Sequence, residues 1–261
     1  MLTRNFYLVS LLIILAPLVG RAQSDPAAAF RNQAAPNAAE AGKVVERDGR
    51  VLLYGGENPE WNFDVTNFSL DTGKLLNGVG REYYPALIEP GFESAADADE
   101  WLAGDSRVLV VQFGGEAKAY PVSLMIRHQA VNDVVGGVPV LPVYCTRARM
   151  GAVLDRRMLG HTFTFGVSGY TYADPDIRGG MEVFVLWDRD TESLWWPLVG
   201  EAVSGPMIGR PLQRIDIPHW AETTWGEARD KYPMITVLAP GQTQQPPENW
   251  TRLNEEDLKK K

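Results

Sequence analysis

Arg107-Val108-Leu109-Val110-Val111-Gln112-Phe113 is a β-rich run, and Gly114-Gly115 turns it into Ala117-Lys118-Ala119-Tyr120-Pro121. Two apolar runs joined by a glycine pair read as a β-hairpin. The same pattern recurs outward from it. Val138–Cys145 (VPVLPVYC) is a second extended run. Met150–Leu154 and His161–Val167 flank the polar turn Asp155-Arg156-Arg157, and His161, Phe163, Phe165 and Val167 alternate with small or polar residues, as on a half-buried strand. Glu182–Trp187 and Ser193–Trp196 face each other across Asp188-Arg189-Asp190-Thr191 as another hairpin.

Helices are short and few. Ser94-x-x-Asp97 opens an Ala/Asp-rich segment that ends at Gly104, resembling a capping box with the acid shortened. Thr224-x-x-Glu227 is a full capping box, and Pro233 closes that helix. Val122–Val131 is a third candidate. The expected fold is α+β: a single domain dominated by antiparallel β-sheet. There is no βαβ alternation and no glycine-rich phosphate loop after a strand, so no nucleotide cofactor is expected.

The ends read differently. Arg4 supplies a short positive region, Phe6–Gly20 is apolar, and Gly20 and Ala22 give small residues before Gln23. That is the three-part pattern of a secretory signal peptide over residues 1–22, cleaved near Ala22. The mature protein is then periplasmic or secreted, with no transmembrane span after signal removal. An uncleaved anchor is the alternative. Residues 23–50 read as a flexible tether, 51–238 as the globular domain and 239–261 as a polar C-terminal tail. The formal charge of −8 argues against nucleic acid, whose affinity rests on a basic face. The sequence names no protein partner.

The chain has one cysteine, so an exported product has no internal disulfide. Cys145 is followed by Arg147 and Arg149, which share its face if the extended conformation persists. Two guanidinium groups would favour the thiolate, which is both nucleophile and metal ligand. A helix ending near His128, a turn at Gly136-Gly137 and a strand returning to Cys145 would bring His128 to the thiol. The spacing lacks the paired pattern of a specific zinc motif, and a buried inert thiol is the plain alternative.

Tyr84–Leu87, Ala117–Pro121, His128 with Val131-Asn132-Asp133, Gly136–Val140, Tyr144-Cys145, Phe165–Gly169 and Asp188–Trp195 follow in an order that resembles the bacterial domain of unknown function 3179 family, over about Tyr84 to Leu238. The resemblance implies a fold and a suspect site rather than a reaction. Members typically show Trp-His-Glu before the Val-Asn-Asp piece and Tyr-Cys-Pro-Leu-Cys-Gly at the cysteine, a pair that looks like a metal or redox centre. This chain departs from that pattern. Arg127 stands for the Trp, Gln129 for the Glu and Ala148 for the second Cys. A dithiol shuttle needs a resolving thiol and is impossible here.

Three functions follow. The first is a transition-metal site, copper ahead of zinc, held by Cys145 and His128 with the Met150 thioether as a third ligand. The second is a thiol enzyme with Cys145 as nucleophile, His128 as base and Arg147 and Arg149 holding an anionic substrate. The third is a non-catalytic binding or scaffold module with a decayed site. Asp174, Asp176 and Glu182 bracket a loop whose spacing matches no calcium motif. Trp187, Trp195 and Trp196 are either core or a carbohydrate platform. No role is assigned to His161 or His219, and Ser168 lacks the nucleophile-elbow pattern.

Overall fold

The computed structural model describes residues 35–243, Leu253 and 256–259. Residues 1–22, expected to be a signal peptide, lie outside the described residues. The fold is α+β and strand-dominated, with several antiparallel sheets and, among the described residues, three short helices.

The hairpin Arg107–Phe113/Glu116–Pro121 forms as its pattern requires. It is the centre of a five-stranded sheet with Trp220–Thr224, Thr236–Leu238 and Phe92–Ser94. The helices Ala95–Ala98 and Trp225–Lys231 cover its outer face, where Ala98, Val108, Val110, Trp225 and Val237 are buried together. Thr224 and Glu227 make the reciprocal capping box. At the other cap, Asp97 N–H donates to Ser94 Oγ at 3.2 Å, but the helix stops at Ala98 rather than running to Gly104.

Val138–Cys145 lies inside a four-stranded sheet, between Val131–Val135 and Met150–Asp155, with Leu87–Ile88 at the far edge. Its side chains alternate between two cores. Leu141, Val143 and Cys145 enter one, while Val140 and Tyr144 enter the other. A strand buried on both faces reads as a continuous apolar run, as this one does. The Tyr144 core joins this sheet to the Arg107 sheet. The Cys145 core joins it to a third, five-stranded antiparallel sheet of Glu201–Ala202, Leu194–Trp196, Val183–Asp188, Phe165–Tyr172 and Leu75–Asn77. Three sheets are thus stacked, with the Cys145 sheet in the middle.

Three expectations are corrected. Met150–Asp155 pairs with Val138–Cys145 rather than with the strand after Asp155-Arg156-Arg157. The 161–167 run splits: His161–Thr162 pairs with Arg157–Met158, and Phe165–Tyr172 pairs with Val183–Asp188 in another sheet. The described part of 23–50 is no free tether. Ala38 is fully buried and its N–H donates to Leu75 O at 2.9 Å, and Val44–Arg47 pairs with Arg50–Leu53. Leu253 and Leu258 of the C-terminal tail also pack on the core that holds Ala38. Among the described residues no helix is long and apolar enough to cross a membrane.

Candidate functional site

Cys145 ends its strand, and residues 146–149 form a turn. Extended geometry therefore does not persist through Arg147 and Arg149. Arg149 sits at φ +55° and is exposed, while the Arg147 guanidinium lies 3.2 Å from the Glu182 carboxylate. The charge expected to favour a thiolate is directed to that carboxylate instead. Cys145 is 4 % exposed, and burial pushes its thiol up from the ordinary value. Ala148 N–H, 3.5 Å from Sγ, opposes that shift only in part.

His128 ends the helix Val122–His128, as its place in the sequence suggests. Gln129 then adopts φ +60°, and its carbonyl accepts Tyr144 N–H at 2.9 Å. This bond draws the helix end to the Cys145 strand, but the residue it turns toward the thiol is Gln129. Gln129, Tyr84, Arg147 and Thr171 line a small cavity of about 50 Å³ with Cys145. His128 is not among the residues lining this cavity. Its Nδ1 is 2.8 Å from Pro85 O. A carbonyl can only accept, so Nδ1 carries the proton in that contact. Burial holds the imidazole below its ordinary pKa, which keeps it neutral at pH 7.

On its other side Cys145 meets a larger cavity of about 310 Å³. Met150 is its register partner across the hairpin, and Val143 and Leu154 continue the same wall. Met181, Val183 and Phe184 form part of the opposite wall. Met150 and Met181 are 47 % and 38 % exposed, so the cavity reaches solvent at the sulfur-bearing end. The sequence places Met150 near Cys145 but gives no sign of Met181, Arg178 or Arg214, which come from distant loops.

Among the described residues, no three His, Cys, Asp or Glu side chains group to hold a metal ion. Asp174 and Glu182 face different partners, Lys74 and Arg147 respectively. Trp195 and Trp196 are fully buried and Trp187 is 4 % exposed, so they are core rather than a carbohydrate platform. His219 stacks on Phe113 at 4.3 Å.

A family model described as a protein of unknown function, DUF3179, matches residues 81–252. The chain belongs to the DUF3179 family. Neither a curated protein nor a solved structure matches it.

Several pieces that carry the DUF3179 resemblance hold the sheets together. Asn132 Nδ2 donates to Leu87 O at 3.1 Å and to Phe165 O at 2.8 Å, and its Oδ1 accepts Phe165 N–H at 2.8 Å. It thus ties the Cys145 sheet to the tryptophan sheet. Asp133 accepts from Tyr120 Oη at 2.6 Å and from Lys118 Nζ at 3.0 Å, tying the same sheet to the Arg107 sheet. Asp188 is fully buried, accepts Thr191 N–H and Trp195 Nε1–H, and closes the hairpin turn. Glu82 accepts from Arg189 at 2.7 Å and from Trp187 Nε1 at 3.1 Å. The buried polar atoms of Asn132, Asp133 and Asp188 thus all have partners, the condition under which such groups specify one packing.

Proposed function

We propose that this DUF3179 domain is an exported, non-catalytic binding module whose ligand occupies the apolar cavity beside Cys145. The observation that carries the reading is the cavity itself. Its volume of about 310 Å³ falls in the range of small-molecule sites, and its walls are apolar with a few polar groups at the edge. Export rests on the N-terminal sequence pattern.

The thiol-enzyme reading has less support. Its nucleophile is buried with a raised pKa, its base is engaged at Pro85, and Arg147 is held by Glu182. An efficient thiol nucleophile instead sits in an electropositive, partly exposed place.

The cross-strand pair Cys145 and Met150 favours a second reading. With Met181 they put three sulfur-bearing side chains on one cavity. Thiolate and thioether ligands suit copper(I) rather than zinc. One thiolate and one monovalent cation also leave no net charge in an apolar cavity, whereas a dication would leave a buried positive charge. His128 belongs to no such set.

Titration of the full exported protein with decan-1-ol, followed by calorimetry, tests the first reading. Saturable one-to-one binding that is lost in Ala152→Phe, a substitution that fills the cavity, is the expected result. No binding, or binding unchanged in Ala152→Phe, contradicts it. Copper(I) loading in parallel separates the readings: one equivalent retained by the wild type and lost in Cys145→Ser and Met150→Leu would favour the metal.

A further inference from the structure

The cavity beside Cys145 carries charge of one sign only. Arg178 and Arg214 line it, and no aspartate or glutamate does. Arg214 Nη2 donates to Pro197 O at 2.6 Å, which fixes the guanidinium on the wall and leaves its other N–H groups available. Among the described residues neither arginine is paired with a carboxylate. Two guanidinium groups without a carboxylate partner stand at this apolar cavity in a chain of net charge −8, whose overall field repels anions. Any attraction for an anion must therefore be local to this rim.

We propose that the ligand is an amphipathic carboxylate: an apolar body inside the cavity and an anionic head at Arg178 and Arg214. The proposal rests on the binding-module reading above. The volume of about 310 Å³ sets the size of the body. A water occupies about 30 Å³ of liquid, and a methylene is of similar size, so the cavity holds roughly ten such groups. Apolar burial supplies the affinity. The guanidinium groups supply selectivity for the head, since Arg pairs with carboxylates through parallel N–H bonds. Met150 and Met181 suit the wall, because flexible thioethers adjust to chains of differing shape.

The test uses the full exported protein with methionine methyl groups labelled with carbon-13. The Met150 and Met181 resonances are assigned from Met150→Leu and Met181→Leu. Sodium decanoate, decan-1-ol and decylamine are titrated separately at one ionic strength; they share a chain and differ in the charge of the head. Decanoate is expected to shift both resonances at about tenfold lower concentration than decan-1-ol, with decylamine weakest. Arg178→Gln with Arg214→Gln should abolish the difference between decanoate and decan-1-ol. Equal binding of these two by the wild type, or a preference that survives the double substitution, overturns the carboxylate assignment and leaves the binding reading standing. No shift with any of the three overturns both. Shifts that follow protein concentration alone assign the cavity to a second copy of the chain and overturn the proposal.

Discussion

Cys145 and Met150 stand directly opposite each other as the last register pair of their hairpin, and both side chains line one cavity. The pair fixes what the lone cysteine does in this domain. It is a wall residue between two cavities, with a thiol made less acidic by burial. Of the arginines that follow it in the sequence, Arg147 is paired with Glu182 and Arg149 is exposed in the 146–149 turn.

The alkylation of Cys145 as a function of pH should reflect that burial. The thiol pKa is raised, so the thiolate forms only above the range of a free cysteine, about 8.5. The rate of reaction with iodoacetamide should therefore reach its midpoint above that value. His128→Ala should leave the profile unchanged. A midpoint at or below that of a free thiol, moved by His128→Ala, would point instead to an activated nucleophile.

Asn132→Ala removes three buried hydrogen bonds across two sheets. It leaves two buried carbonyls and one buried N–H without that partner. The expected loss is about 3 kcal/mol, read from urea unfolding. A loss below about 1 kcal/mol would show that the clamp is not holding the sheets.

Asp188 gives the stability a pH dependence. Burial is the largest cause of its shift, outweighing the hydrogen bonds from Trp195 and Thr191, and raises its pKa to about 7. The folded protein then binds a proton that the unfolded chain releases near pH 4. This contribution is fully present below the unfolded pKa and is lost as pH rises toward 7, by roughly 4 kcal/mol at most. Unfolding free energy measured from pH 4 to 7.5 should fall through this window from this group, and Asp188→Asn should flatten that part of the curve. An unchanged slope in Asp188→Asn would contradict the assignment.

Glu82→Gln removes the carboxylate that faces buried Arg189 at 2.7 Å. The expected cost is about 3 kcal/mol, because a buried charge loses its counter-charge. Thermal unfolding at neutral pH measures it. A variant as stable as the wild type would mean that Arg189 is compensated by its other contacts.

Much of this fold was legible where the determinants are local. The Arg107–Phe113 hairpin, the Val138–Cys145 strand, the Val183–Asp188/Leu194–Trp196 hairpin and the Thr224 capping box all follow from runs, turns and caps within a few residues. Pairings set by distant contacts were not legible. Met150–Asp155 reads equally well against the run that follows it as against Val138–Cys145, which it joins. The candidate site divided in the same way. Cys145 with Met150 was within reach because a hairpin brings them together. The direction of His128 depends on Pro85, 43 residues away, and the left-handed Gln129 turns the next side chain toward the thiol instead. Arg178 and Met181 reach the cavity from the loop before Val183–Asp188, and Arg214 through an antiparallel bridge to Leu154, long-range contacts that no local pattern encodes.

The most direct test of a ligand seated against Cys145 is the rate at which that thiol is alkylated with and without an apolar probe. The full-length protein is treated with iodoacetamide at fixed pH across a titration of decan-1-ol, and Ala152→Phe is treated in the same way. A ligand in the cavity should slow the reaction by about tenfold or more at saturation in the wild type, and leave Ala152→Phe unaffected. A rate that stays constant across the titration, in a protein whose Cys145 still reacts, would place the probe elsewhere and contradict the binding site.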